Sequence, residues 1–122
     1  MIDNKWLAGF IDGEGCFNIT KCRTTIYPRL LIVNTNLNIL KEIEKQYGGD
    51  ISSRSIKDNW KDFNLYRASY VSFRRIAKDV LPYLKLKKKQ AILCLKMLEM
   101  KDNKERMKIK EKINKLNKKG ID

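Results

Sequence analysis

The stretch Trp6-Leu-Ala-Gly-Phe-Ile-Asp-Gly-Glu-Gly15 decides the fold, and its spacing predicts a short helix over residues 4–13. Its apolar residues recur every three or four positions, as on a helix that packs against a core. Asn4 is a candidate N-terminal cap, and Gly15 supplies the stop. The apolar positions are Trp6, Leu7, Phe10 and Ile11.

Two features of this helix conflict with ordinary helix design. Asp12 and Glu14 lie at its C-terminal end, where the macrodipole disfavours an anion by roughly 0.3–1 kcal/mol each. Gly9 and Gly13 lie four residues apart beside Ala8, although glycine in a helix costs about 1 kcal/mol relative to alanine. Such a stripe of small residues lets another backbone approach closely. The two features predict a close helix–helix contact that carries an acidic group at its end.

A second copy of the same helix would explain this contact. Two-fold symmetry would then place two copies of Glu14 side by side. Adjacent carboxylates in a basic protein form a natural site for a divalent metal, and the carbonyl of Gly13 or Gly15 can add a ligand. The helix therefore predicts a homodimer with a metal site at its centre.

Alternating polarity predicts strands after this helix. Phe17 and Ile19 share one face of the first strand, and Asn18, Thr20 and Cys22 share the other. The run Arg29-Leu-Leu-Ile-Val33 is too uniformly apolar to assign its faces. The predicted strands cover residues 16–23, 29–33, 51–56 and 63–71, with a loop over 24–28 and a polar turn at Lys57-Asp58-Asn59.

Helical spacing recurs in four later segments. These cover residues 36–47, closed by Gly48-Gly49, then 73–80, 86–100 after a break at Pro82, and a Lys-rich segment over 101–119. The order is αββαββα with an extra C-terminal helix, in a single α+β domain over 1–122. One antiparallel sheet should carry helices on one face and a polar surface on the other. Whether the 101–122 tail binds nucleic acid or covers the helices stays open.

The charge predicts a polyanionic partner. Lys and Arg total 27 against 14 acids, for a net charge of +13 spread along the chain. Nucleic acid is the usual partner of such a protein. On charge alone, a ribosomal-type or RNA-coating protein, or a Lys-rich genome, explains the composition equally well.

Composition also excludes several kinds of site. The chain has no histidine, which excludes Ser-His-Asp triads, histidine-metal nucleases and imidazole bases. Its 3 cysteines form no C-x-x-C pair, so we expect free thiols and no zinc. We also expect no membrane span and no signal peptide, and hence an intracellular protein.

Residues Leu7-Ala-Gly-Phe-Ile-Asp-Gly-Glu-Gly15 resemble the LAGLIDADG motif of homing endonucleases, with Phe for Leu, Gly for Ala and Glu for Asp. Asn34-Thr-Asn-Leu-Asn-Ile-Leu-Lys-Glu-Ile43 with Tyr47-Gly-Gly49 resembles the family's second-strand-to-helix passage. Leu81-Pro-Tyr-Leu-Lys-Leu-Lys-Lys-Lys-Gln-Ala91 resembles the lysine-bearing entrance to its later helix. The resemblance covers about residues 4–99 and contains one motif, as in the homodimeric members of the family.

The resemblance implies a saddle-shaped, four-stranded antiparallel sheet and a site-specific endonuclease. Such an enzyme hydrolyses both strands of a long pseudo-palindromic DNA duplex with Mg²⁺, or alternatively Mn²⁺, and uses no small-molecule cofactor. A dimer would span roughly 20 base pairs. The alternative is a catalytically inactive DNA-binding regulator or an RNA-splicing maturase of the same fold. An organelle and a bacterial or archaeal cytoplasm both remain open as locations.

The resemblance also assigns site residues. Glu14 would be the catalytic, metal-binding acid, with the Gly13 carbonyl as a further ligand, and Lys87 and Asn34 would assist catalysis. Two structural alternatives stay open: the lysines at 85–89 as a solvated cluster, and Asn34 and Asn36 as turn or cap residues. The expected dimer interface is Leu7, Ala8, Gly9, Phe10, Asp12 and Gly13.

We expect the polar sheet face to read DNA, because a strand pair fits the major groove and alternate side chains can reach base edges. Arginine suits guanine, and Ser52 would share the face of Arg54. The candidate DNA-binding residues are Asn18, Thr20, Cys22, Arg29, Ser52, Arg54, Arg67 and Lys85.

Overall fold

The computed structural model describes residues 1–54 and 63–118, apart from the side chain of Arg54. The helices are α1 (Asn4–Glu14), α2 (Leu37–Tyr47), α3 (Tyr70–Val80), α4 (Lys88–Leu98) and α5 (Asn103–Lys118), with a short 3₁₀ turn at Leu81–Tyr83. The strands are β1 (Gly15–Cys22), β2 (Thr25–Asn34), β3 (Asp50–Arg54) and β4 (Phe63–Arg67). This order confirms the predicted αββαββα arrangement with an added C-terminal helix.

The strands form one antiparallel 4-stranded sheet in the order β1-β2-β4-β3. Alternate residues of β1, β2 and β4 are buried under the helices, among them Phe17, Leu30 and Tyr66, and Ile51 of β3 is half-buried. The opposite face, called the open face below, carries no helix of the described chain. The sheet with helices on one side is therefore as predicted.

Side-chain caps fix where three helices begin. Asp3, rather than the predicted Asn4, caps α1, because its extended backbone lets its carboxylate accept the Lys5 N–H. Asn36 caps α2 in the same way, accepting the Ile39 N–H at 3.3 Å. A capping box between Ser69 and Ser72 begins α3 at Tyr70, so the strand predicted to reach residue 71 ends at Arg67 instead.

The predicted loop over 24–28 is wrong. Arg23 and Thr24 alone connect β1 to β2, and Pro28 lies inside β2 opposite Ile19. β4 joins β2 only from Leu31 onward, so β2 has an unpaired edge at Pro28, where a missing N–H is tolerated. The predicted end of the third strand and the turn at 57–59 lie outside the described residues.

Helix α5 covers the helical side of the domain. Ile109 and Ile113 are buried in the core. Arg106 donates to the Ile26 carbonyl at 2.6 Å, and Asn117 donates to the Phe17 carbonyl at 3.1 Å. The described part of the tail is therefore docked on the body. No helix within residues 1–54 and 63–118 is both long and apolar enough to cross a membrane.

The turn between α2 and β3 requires glycine at one position. Gly49 has a φ of +102°, and a Cβ there would lie 2.7 Å from the Arg67 carbonyl oxygen. The hydroxyl of Tyr66 closes the same turn by donating to the Gly48 carbonyl at 2.6 Å. The backbone of β4 thus passes too close for any side chain at Gly49.

We expect Gly49→Ala to lower the free energy of unfolding by at least about 2 kcal/mol, because it combines a disfavoured φ with a backbone clash. Urea denaturation measures this loss. Gly48→Ala is the control, since Gly48 also has a positive φ but a Cβ there would meet nothing within 4 Å. Equal losses from the two substitutions would contradict the clash.

Candidate functional site

Asp12 joins the first helix to the start of α4. It is 8% exposed, and its carboxylate accepts the backbone N–H groups of Lys85 at 2.8 Å, Leu86 at 3.2 Å and Lys87 at 3.0 Å. These N–H groups belong to the segment that enters α4, where a helix N-terminus favours an anion. Asp12 therefore lies at the unfavourable C-terminal end of α1, but the N-terminal end of α4 stabilises its negative charge.

Lys87 is held beside Glu14 by the same contact. Its side chain is 6% exposed, and its Nζ donates to the Gly15 carbonyl at 2.5 Å. Gly15 follows Glu14 directly and begins β1. The structure therefore brings Lys87 to the end of α1, where it is a buried ammonium rather than part of a solvated cluster, and its catalytic role stays a prediction.

Glu14 and Gly13 are exposed at the C-terminal end of α1. Carbonyls in the last turn of a helix lack intrahelical N–H donors. The Gly15 carbonyl is used by Lys87, and the Asp12 carboxylate is used by three N–H groups. Because Gly13 and Glu14 are exposed, the Glu14 carboxylate and the Gly13 carbonyl are candidate oxygen ligands at this end.

The outward side of α1 differs from the predicted interface. Leu7 and Ala8 are fully buried in the core of their own chain and Asp12 is bonded to the α4 entrance, so these three cannot face a partner. The exposed or half-buried side carries Trp6, Gly9, Phe10 and Gly13. The rings of Trp6 and Phe10 stack with centroids 5.1 Å apart. The spacing of the apolar residues predicted one apolar side of α1. In the structure, apolar side chains lie on both its buried and its exposed side.

Asn34 and Asn36 have the turn roles that the sequence also allowed. The Asn34 Oδ1 accepts the Asn36 N–H at 2.8 Å, and Asn36 caps α2. The Asn64 side chain donates to the carbonyls of Asn34 and Thr35. Asn34 lies at the same end of the sheet as Gly15, because Gly15 pairs with Ile32. A catalytic part for Asn34 stays a prediction.

The open face carries most of the predicted DNA-binding residues. Asn18 and Thr20 lie on it, opposite Arg29 and Tyr27 of β2, and the Arg29 Nε donates to the Asn18 Oδ1 at 2.7 Å. The pairing thus assigns Arg29 to the open face, which the uniform apolar run had left undecided. Cys22 is exposed at the far end of β1.

The other half of the open face comes from β3 and β4. Arg67 pairs with Leu31 and with Asp50, and its Nε lies 3.9 Å from the Asp50 carboxylate in an exposed pair. Ser52 pairs with Leu65, and Arg54 pairs with Phe63, so the backbone register places Ser52 and Arg54 on this face. The side chain of Arg54 lies outside the described residues. Lys85 is exposed beside the Asp12 contact.

Sequence reasoning missed several open-face residues. Val33 and Leu65 pair across β2 and β4, and Tyr27 faces the same way. Their apolar character gives no sign of an exposed position. The register of the β1–β2 hairpin, counted from the buried Phe17 and Ile19, places Tyr27 and Val33 on the surface, and the pairing of β4 with β2 then places Leu65.

The three cysteines differ in burial and in their distance from Glu14 along the chain. Burial raises the pKa of the Cys94 thiol to about 12, so it is protonated and unreactive at neutral pH. Cys22 lies exposed at the far end of β1, away from Glu14. Cys16 follows Gly15 directly and is half-buried, and within residues 1–54 and 63–118 no group of three or more His, Cys, Asp or Glu side chains could hold a metal.

Comparison with known proteins gives consistent matches. Residues 7–91 match the family described as LAGLIDADG endonuclease. The chain is 30% identical over 108 residues to the DNA endonuclease I-CvuI of Chlorella vulgaris, covering 80% of this chain and 65% of that protein. It is 36% identical over 52 residues to the probable intron-encoded endonuclease aI2 of Debaryomyces hansenii, covering 43% of this chain and 8% of that protein.

The fold matches as well. The crystal structure of the homing endonuclease I-CvuI in complex with its target, in the presence of 2 mM Ca, aligns with a TM-score of 0.74 at 26% identity. That alignment covers 93% of this chain and 80% of that chain. In the sequence comparison, the chain spans slightly less than two thirds of the length of I-CvuI.

We expect Asp12→Asn to lower the free energy of unfolding by about 2 kcal/mol, because a neutral amide replaces an anion that accepts three N–H groups. Chemical denaturation at fixed protein concentration measures the change. Asp3→Asn is the matched control, since asparagine caps a helix as well as aspartate does and should leave stability nearly unchanged. Equal stability of the two variants would refute the role assigned to Asp12.

Proposed function

The chain belongs to the LAGLIDADG endonuclease family, and from this premise we propose that it is a site-specific endonuclease that cuts both strands of a long, pseudo-palindromic DNA duplex. The observation that carries the proposal is the end of α1. There Glu14 is exposed directly before Gly15, and the buried ammonium of Lys87 is fixed on the Gly15 carbonyl. Both charges adjoin a sheet face suited to DNA.

DNA binding is supported by charge and shape. The net charge of +13 attracts the phosphate backbone, and the open face presents alternate side chains of β1 and β2 as a ribbon that fits the major groove. Arg29 is held in place by Asn18, which reduces the rotamer entropy lost when it binds a base. The bidentate donors of arginine favour guanine.

A homodimer is supported by the glycines of α1. A Cβ on Gly9 or Gly13 would meet nothing within 4 Å in this chain, so packing within the chain does not require glycine there. Glycine still lowers helix stability by about 1 kcal/mol at each position. Close approach of α1 from a second copy would explain why glycine occupies these positions. The exposed Trp6–Phe10 stack would be buried in the same contact.

The accessible donors fit a hard divalent cation, and Mg²⁺ is our proposal for it. The Glu14 carboxylate and the Gly13 carbonyl are oxygen ligands of the kind that Mg²⁺ and Ca²⁺ prefer. Among the described residues, no group of three or more His, Cys, Asp or Glu side chains could hold a metal. A second copy would double the donor set. Such an ion, when bound, supplies Lewis-acid activation of water and of the phosphodiester.

The remaining chemistry falls to residues of this chain. Lys87 places a fixed positive charge next to Glu14, where it can offset the charge that develops on the phosphate. Its burial and its 2.5 Å bond to the Gly15 carbonyl hold it without reorganisation during the reaction. Asp12 sets the position of Lys87 through the backbone N–H.

We expect Glu14→Gln to lower the rate of cleavage at least about 100-fold, because the amide removes the anionic ligand from a shared site. The assay uses Mg²⁺ and a plasmid library of randomised or intron-junction duplexes. Glu42→Gln, at an exposed position of α2, is the control and should cut normally. Wild-type binding without cutting would favour the regulator or maturase alternative, whereas normal cutting by Glu14→Gln would remove the site assignment.

We expect Gly9→Ala to weaken self-association at least about tenfold, because each added methyl separates the two α1 helices. Sedimentation equilibrium measures the dimer dissociation constant. Helix propensity should make the isolated chain slightly more stable at the same time, which separates the loss of dimer from a loss of folding. The control is Glu42→Ala on α2. A monomeric wild type, both free and on DNA, would be incompatible with a shared site.

A further inference from the structure

An apolar row crosses the open face at one end of the sheet. Val33 is 44% exposed, and it pairs with Leu65, which is half-buried on the same face. Leu31 lies two residues before Val33 and therefore faces the same way. The open face also carries polar side chains such as Asn18, Thr20 and Arg29, whereas the side chains of this row can neither donate nor accept a hydrogen bond.

The row lies at the Glu14 end of the sheet. Gly15 pairs with Ile32, so Val33 follows directly at the end of β2 nearest Glu14. Arg29 lies four residues back along the same strand, about 13 Å away at the usual rise per residue. That separation corresponds to about four base pairs of duplex. The apolar row and the arginine would therefore meet different base pairs.

We propose that Val33 and Leu65 read thymine, by contact with its C5-methyl group, at an A·T pair close to the point of cleavage in each half-site. The inference rests on the proposed recognition of DNA through the open face. Thymine alone presents an apolar group in the major groove. A G·C pair at the same place would have its acceptors and its donor covered by Val33 and Leu65 and left without partners, which disfavours it.

The residues around Val33 and Leu65 are compatible with contact to an A·T pair. Arg67 is next to Leu31 across the strands, and its Nε lies 3.9 Å from the Asp50 carboxylate in an exposed pair. Ser52, which is opposite Leu65, can serve either base of an A·T pair. Val33 and Leu65 themselves supply no donor that would demand guanine, and the partner of Arg67 on β2 is Leu31 rather than Val33.

The test begins with a site selected by binding from randomised duplexes of about 20 base pairs. Each symmetry-related pair of thymines in that site is then replaced by deoxyuridine, which lacks only the methyl group. We expect one replacement near the centre to weaken binding about four-fold per methyl group. In Val33→Ala the same replacement should have almost no effect, because the contact is already absent.

Val71→Ala is the control variant, since Val71 is 65% exposed on α3 and lies outside the sheet. It should keep the full deoxyuridine effect, and thermal melting confirms that both variants fold. A selected site with G·C at every central position overturns the inference, and so does a deoxyuridine effect that persists in Val33→Ala. Because the readout is binding, a protein that binds its site without cutting it contradicts only the nuclease proposal.

Discussion

The carboxylate of Asp12 is the interaction on which the functional end of the molecule depends. It connects α1 to a segment 73 residues later in the chain by accepting three backbone N–H groups. That segment has no side-chain cap of its own where α4 begins, so the cap comes from another helix. An acid that is unfavourable at the end of α1 is favourable at the start of α4. The position of Lys87 follows from this bond.

The two acids of α1 consequently have different tasks. Asp12 is buried and saturated with hydrogen bonds, whereas Glu14, two residues further on, points into solvent. Lys87 contacts both parts of this segment, because its backbone N–H donates to Asp12 and its Nζ donates to the Gly15 carbonyl. One turn of helix thus provides a fixed structural anion and an accessible one, and the accessible one can take a ligand without weakening the fold.

The order of elements could be predicted from the sequence because periodicity and glycine stops are local signals. The buried side of α1 could not be predicted in this way. Leu7 and Trp6 are both apolar, and only packing against the rest of the fold determines that Leu7 is the buried one. The N–H groups that bind Asp12 belong to a segment 73 residues later in the chain, so no local sequence pattern predicts this contact. Pro28 was misassigned because its tolerance in β2 depends on where β4 stops pairing, and Arg29 could be placed only once the register was known.

The register of β1 and β2 positions both the backbone that follows Glu14 and the side chains of the open face. Side chains on a strand alternate between faces, so a shift of one residue between Gly15 and Ile32 would turn Val33 into the core and expose Ile32. The same shift would move Lys87's acceptor, the Gly15 carbonyl, relative to β2. The core residues Phe17 and Leu30, which pair across these strands, oppose such a slip. Open-face side chains can therefore change without moving the groups around Glu14.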